Sequence, residues 1–148
     1  MYNKIPPPFI TLAFALSIYF TQPFFPNVLF PFYECISILF FSLGLIFLFS
    51  SAILFKKKST TLNPLHPDKA TTLVTTGFFK FSRNPMYLGM LLILISISIR
   101  FNMLGGALSC IIFIFYMNKF QIAPEEKAME KIFAEEFIIY KNKTRRWL

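Results

Sequence analysis

Apolar residues in this chain fall into four blocks separated by polar and charged connections. Phe9 to Phe25 carries no charge, and neither does Cys35 to Phe55. The second block is about 21 residues, the helix length that crosses a hydrocarbon core. Two further blocks run from Met86 to Ile99 and from Met103 to Met117. The pattern predicts a single all-α, polytopic membrane domain over 1–148. Its expected spans are about 9–25, 33–55, 85–99 and 103–121, with a connection over 56–84 and a final helix over 124–141. Met129, Ile132, Phe133, Phe137 and Tyr140 recur at helical spacing in that last segment. Such a stripe predicts an amphipathic helix on the cytoplasmic membrane surface or packed against the long connection.

Punctuation residues set the boundaries. The prolines of "KIPPPF" cannot continue a helix and so start the first span, and Pro23 and Pro26 close it. Lys4 is a weak basic flank and no small-x-small pattern follows, so the first span is not expected to be a cleaved signal peptide. "KKK" at 56–58 ends the second span at the headgroups. The stretch "STTLNPLHPDKATTLVTTGFFKFSRNP" has little periodicity, and irregular connections of that length are commonly functional. The third block rises only about 22 Å at 1.5 Å per residue. Asn102, Gly105 and Gly106 predict a tight turn after it, so the third and fourth spans read as an antiparallel hairpin that Pro124 ends or kinks.

Composition agrees with a bilayer, since 55% of residues are hydrophobic and 21 are Phe. The net charge of +8 raises the alternative of nucleic acid, but its distribution argues for orientation instead. Lys56, Lys57, Lys58, Lys69, Lys80 and Arg83 precede the third span, and Lys119, Lys127, Lys131, Lys141, Lys143, Arg145 and Arg146 stand at the end of the fourth or beyond it. The two intervening connections carry only Arg100. By the positive-inside rule both termini and the 56–84 connection are cytoplasmic. The cysteines, Cys35 and Cys110, sit in or beside apolar runs, and His66 is the single histidine, so neither a zinc pattern nor a disulfide framework is expected. A bacterial-type inner membrane is the expected location.

Two polar groups should meet at the inner end of the hairpin. One is the corner Arg83-Asn84-Pro85, and the other is Glu125-Glu126. Ionisable groups at membrane depth are costly and point to function. Each also has a structural reading. Asn84 and Pro85 suit an N-cap and a first helical position, Arg83 suits snorkelling, and the glutamates suit a helix N-terminus. Against that, Glu126 and Glu130 repel at i,i+4, and Gly77 and Gly89 flank the corner.

The motifs "LVTTGFF", "RNPMYLG", Glu125-Glu126, Phe133 to Tyr140 and Arg146-Trp147, in this order, resemble the isoprenylcysteine carboxyl methyltransferase and phospholipid methyltransferase family. The resemblance covers about the C-terminal three fifths of the chain. It implies an S-adenosylmethionine site at the cytosolic ends of the helices, built without a Rossmann fold; the sequence agrees, having no glycine-rich dinucleotide fingerprint. Carried onto this sequence, the cofactor residues are Thr72, Leu73, Val74, Gly77, Phe79, Arg83, Asn84, Pro85, Met86, Tyr87 and Glu126. Arg83 suits the cofactor carboxylate, Glu125 or Glu126 its ammonium and hydroxyls, and Phe79, Phe81 and Tyr87 its adenine. Arg83, Glu125 and Glu126 are the candidates for a catalytic role. Lys119 and Gln121, about a turn before the acidic pair, are the substrate candidates. Four positions depart from the family pattern: Thr71 stands where a histidine is frequent, Ala134 replaces a glycine, and Gln121 and Ile122 occupy a region that is basic in some carboxyl methyltransferases. The implied substrate is a lipophilic acceptor from the bilayer: a carboxylate, a phospholipid amine or another small lipid. The alternatives from other classes are a non-catalytic membrane protein or another small membrane enzyme.

Overall fold

The structure, a computed structural model, describes residues 5–26, 28, 30–57 and 71–148. Lys58, His66 and Lys69 therefore lie outside the described residues. Five α-helices account for most of the rest: α1 (Pro7–Phe20), α2 (Tyr33–Lys57), α3 (Pro85–Phe101), α4 (Met103–Tyr116) and α5 (Ala123–Lys143). A 3₁₀ turn, Gly77–Lys80, leads into α3, and a π-helical turn, Met117–Ile122, joins α4 to α5.

Two continuous helices are long and apolar enough to cross a membrane, Tyr33–Lys57 and the 41-residue run Met103–Lys143. The first wears its hydrophobicity outward. Its buried residues are Ser37, Gly44 and Ser51, at heptad spacing, whereas Ile38, Leu39, Phe41, Ile46, Phe49 and Ile53 are exposed. A helix that buries small residues and exposes large apolar ones is solvated by lipid, and its small stripe is the packing face. That face meets α3 closely. A β-carbon on Gly44 would lie 2.8 Å from the Gly89 carbonyl oxygen, and Ser37 Oγ donates to the Ser96 carbonyl at 3.0 Å.

Packed against α1, α2 and α4, α3 is the central helix. Leu94, Phe113, Met117 and Ile18 are fully buried at the heart of the main core. A second cluster gathers Val74, Phe79, Phe137 and Tyr140 beneath the C-terminal end of α2. The antiparallel α3–α4 hairpin turns on one residue. Asn102 accepts from the Gly105 amide at 2.9 Å and donates to Thr21 Oγ1 at 3.2 Å. Gly105 and Gly106, expected in the turn, lie inside α4 instead.

Two further expectations are corrected. Pro124 neither ends nor kinks the fourth helix. A proline ring clashes with the carbonyl four residues back in α geometry, and the preceding π turn widens the helix there, so the rod continues. From Met103 to the bend at Ala134 the rod is about 46 Å long, more than the thickness of a bilayer core. The break falls later, at Ala134, whose φ of 41° and ψ of −116° are non-helical. Lys141 Nζ consequently reaches Glu130 Oε1 at 2.7 Å. In a straight helix those residues would be about 16 Å apart along the axis. Phe137 and Tyr140 of the expected stripe are buried, whereas Ile132 is exposed, because the bend divides the stripe into two faces.

Candidate functional site

The start of α3 meets both ends of α5, and the C-terminal segment closes over them. Gly77 has a φ of 62°, a left-handed turn that glycine makes without strain, and it starts the 3₁₀ turn that carries the chain to Ser82. Backbone pairing then fixes the corner: the Arg83 amide donates to the Arg145 carbonyl at 2.9 Å. Asn84 stands at the N-cap position, but its side chain does not cap α3; Nδ2 donates to the Arg146 carbonyl at 2.9 Å. Ser82 Oγ reaches the same carbonyl at 3.3 Å. Pro85 occupies the first helical turn, as expected.

Arg83 is buried, not snorkelling. Its Nη2 donates to Glu126 Oε1 at 2.8 Å, and both side chains are 10% exposed. Its Nη1 donates to the Lys141 carbonyl at 3.1 Å and to the Thr144 carbonyl, capping the end of α5. Its Nε is buried and has no hydrogen-bond partner among the described residues. Arg146, on the other side of the same carboxylate, donates from Nε to Glu126 Oε1 at 3.1 Å and from Nη2 to Oε2 at 2.5 Å. Burial acts to raise the Glu126 pKa, but the hydrogen bonds and charges of Arg146 and Arg83 outweigh it and hold the carboxyl below its usual range.

Glu125 faces a different environment. Tyr87 Oη donates to its Oε1 at 2.6 Å, and Gln121 Nε2 donates to the same oxygen. No arginine reaches it among the described residues, and burial pushes its pKa up to about 7. Adjacent carboxylates are thus driven apart, one held ionised and one poised near neutrality. Neither sits at a free helix N-terminus, because the helix runs on through the π turn, so the dipole reading fails.

The other expected residues divide. Val74 and Phe79 are buried in the second core cluster, where the Phe79 carbonyl accepts from Tyr140 Oη at 2.6 Å. Leu73 packs against that cluster and Thr72 is exposed. Met86 is half-buried beside Tyr87. Gly77, Phe78, Phe79 and Phe81 line an open groove of about 430 Å³ against Ser50, Ile53, Leu54 and Lys57 of α2. Gln121 joins the Glu125 group, but Lys119 does not: it lines a separate groove on the outside of the π turn. Arg146 was missed as a site residue. The only signal was its place beside Trp147 in the C-terminal motif, and nothing local says that it folds back 20 residues to Glu126.

Comparison with known proteins bears on this arrangement. A family model described as phospholipid methyltransferase matches residues 33–136, more than half of the chain and a span that includes Arg83, Glu125 and Glu126. The chain belongs to that family. It is 42% identical over 74 residues to the protein-S-isoprenylcysteine O-methyltransferase of Saccharomyces cerevisiae, a match covering 48% of this chain and 30% of the yeast protein. It is also 46% identical over 63 residues to an uncharacterized protein of Haemophilus influenzae, covering 43% of this chain and all of that one. No solved structure matches. Family membership and the lipid-facing α2 together make this a membrane protein of a methyltransferase family.

Proposed function

We propose that the protein transfers a methyl group from S-adenosylmethionine to a lipophilic acceptor at the cytoplasmic face of a bacterial inner membrane. On this reading all four apolar helices are membrane-embedded, both termini are cytoplasmic, and the first part of α5 continues α4 out of the inner surface before the bend at Ala134. The observation that carries it is the contact of Arg83 with Glu126, two buried charges at an inner hairpin end, both within the segment matched to the family.

The donor set fits the cofactor. Arg83 Nε is a buried donor awaiting an acceptor, which suits a carboxylate. Arg83 and Glu126 would hold the amino-acid end. Asn84, Pro85, Met86 and Tyr87 with Thr72, Leu73, Val74, Gly77 and Phe79 would form the rest of the enclosure. When bound, the cofactor supplies an electrophilic methyl group on a sulfonium. The protein's own tasks are to fix Arg83 through the carbonyls of Lys141 and Thr144, to keep Glu126 ionised, and to exclude water. The groove between α2 and the 3₁₀ turn, apolar with Lys57 at its edge, suits the acceptor's hydrocarbon and an anionic group.

The yeast relative is named as an O-methyltransferase, and an oxygen acceptor that is a carboxylate needs no base. One observation favours a second reading, an amine acceptor: Glu125 is half-buried, hydrogen-bonded to Tyr87 and poised near pH 7, the properties of a general base. Transfer of a radiolabelled methyl group to total membrane lipids, with identification of the product, tests the function. A labelled lipid that needs Arg83 supports it, and the absence of any labelled lipid counts against it. The pH profile separates the acceptors: an amine gives a rate rising through about pH 7 that is lost in Glu125→Gln, and a carboxylate gives little rise above neutrality.

A further inference from the structure

The groove on the outside of the π turn has no part in that chemistry. It measures about 630 Å³ and is lined by Lys119, Phe120, Ala123, Pro124, Lys127, Ala128, Glu130 and Lys131. Ala123 and Ala128 leave room where larger side chains would fill it. Its one carboxylate, Glu130, is already paired with Lys141 at 2.7 Å, a contact that exists because α5 bends at Ala134. No carboxylate among the described residues pairs with Lys119, Lys127 or Lys131. Three cations therefore converge on a concave surface with their charge uncompensated. Lys119 Nζ stands 5.4 Å from the centroid of the Phe120 ring, which holds it at the edge of the groove.

Its position relative to the bilayer specifies the occupant. Leu108, Ile112 and Phe115 are exposed along α4, and Phe120, also exposed, ends this lipid-facing stripe at the groove. The apolar part of the helix from Met103 to Phe120 is about 27 Å long, close to one hydrocarbon thickness. The groove thus begins where the acyl region ends. A stripe of apolar surface followed by a cationic hollow repeats, in complementary form, the order of an anionic phospholipid, with tails first and a phosphate-bearing headgroup after. We infer that this groove is a binding site for the headgroup of an anionic phospholipid, held by Lys119, Lys127 and Lys131, with its chains along α4. The site rests on the protein's being membrane-embedded and is independent of the methyl-transfer reading.

Native mass spectrometry and thermal unfolding of the detergent-solubilised full-length protein test it. Phosphatidylglycerol is compared with phosphatidylcholine of the same chains. Juxtamembrane lysines contribute comparably and additively, so the K119Q/K127Q/K131Q variant should retain phosphatidylglycerol on the order of a hundredfold less well. It should also lose the rise in melting temperature that this lipid gives the wild type. Control variant K56Q/K80Q/K143Q, which removes the same charge at exposed positions outside either groove, should keep both. Equal stabilisation by phosphatidylcholine, or undiminished retention in the groove variant, would overturn the site. Equal loss in the control would also overturn it, by showing diffuse charge attraction. Because the three groove lysines are solvent-facing, the variant should fold; unchanged melting without lipid verifies this.

Discussion

At the scale of single residues, the account turns on Glu126 and its two arginines. A buried carboxylate held by two guanidiniums is favourable only while all three are present. Arg83→Ala removes one partner and uncaps α5 at the Lys141 and Thr144 carbonyls. It should destabilise the protein by about 3 kcal/mol, read as a lowered midpoint in thermal unfolding; an unchanged midpoint would contradict the burial argument. The two glutamates also predict opposite pH dependences. Glu126 has a lowered pKa in the fold, so it contributes stability above the ordinary carboxylate range that is lost as pH falls through its folded value. Glu125 has a raised pKa, so between about 4.5 and 7 the folded state binds more protons than the unfolded, and stability falls as pH rises through that window. Glu125→Gln should flatten the fall between about pH 4.5 and 7, whereas an identical slope in the variant would rule out this assignment. Ala134 is strained at a φ of 41°, and Ala134→Gly should raise stability by about 1 kcal/mol, since glycine enters that region freely. A lower melting temperature in that variant would contradict the strain. The sequence had flagged this position as an alanine where the family has glycine; only the backbone angles give the reason.

At the scale of elements, the apolar blocks were legible and their joints were not. The block expected over 33–55 is a helix to Lys57 and that expected over 85–99 a helix to Phe101, whereas the helix of the block expected over 9–25 stops at Phe20. The limits of the first two are written in Glu34, the lysine run and Asn102. By contrast, Pro124 signalled a break that the π turn absorbs, and the real one falls at Ala134, marked in the sequence only as standing where the family has a glycine. A break of this kind depends on what lies behind it: Phe137 and Tyr140 must turn inward to reach Val74 and Phe79. The small-residue stripe of α2 was likewise present in the sequence at Ser37, Gly44 and Ser51 but hidden among larger apolar neighbours. It carries its own prediction. In Gly44→Val the new β-carbon would sit 2.7 Å from Ile93 Cγ1 and 2.8 Å from the Gly89 oxygen, so α2 and α3 must separate. A loss of about 2 kcal/mol or more follows, measured as reduced thermal stability in detergent. A fully tolerated valine would mean that the two helices do not approach so closely.

At the scale of the whole molecule, the convergence of the hairpin ends was readable because a one-residue turn forces two antiparallel helices to finish side by side. The partner choice was not readable. Arg83 pairs with Glu126 and not Glu125, and Arg146 returns from the far end of the chain to complete the group. Long-range closure of that kind leaves no local periodicity. The proposed orientation is open to a direct check with an impermeant thiol reagent on intact cells, against a background lacking the native cysteines. Met103→Cys at the α3–α4 turn should label from outside, and Lys143→Cys only after permeabilisation; the reverse pattern would invert the topology.

The central claim, that the corner where Arg83 meets Glu126 holds the methyl donor, is tested most directly by titrating S-adenosylhomocysteine into the purified protein by calorimetry. The account predicts saturable binding by the wild type and by Lys119→Gln. It predicts at least about tenfold weaker binding by Glu126→Gln and Arg83→Lys variants that still unfold cooperatively, since one lost charge-assisted contact in a buried site costs that much or more. Undiminished affinity in both corner variants, or no binding by the wild type, would contradict it.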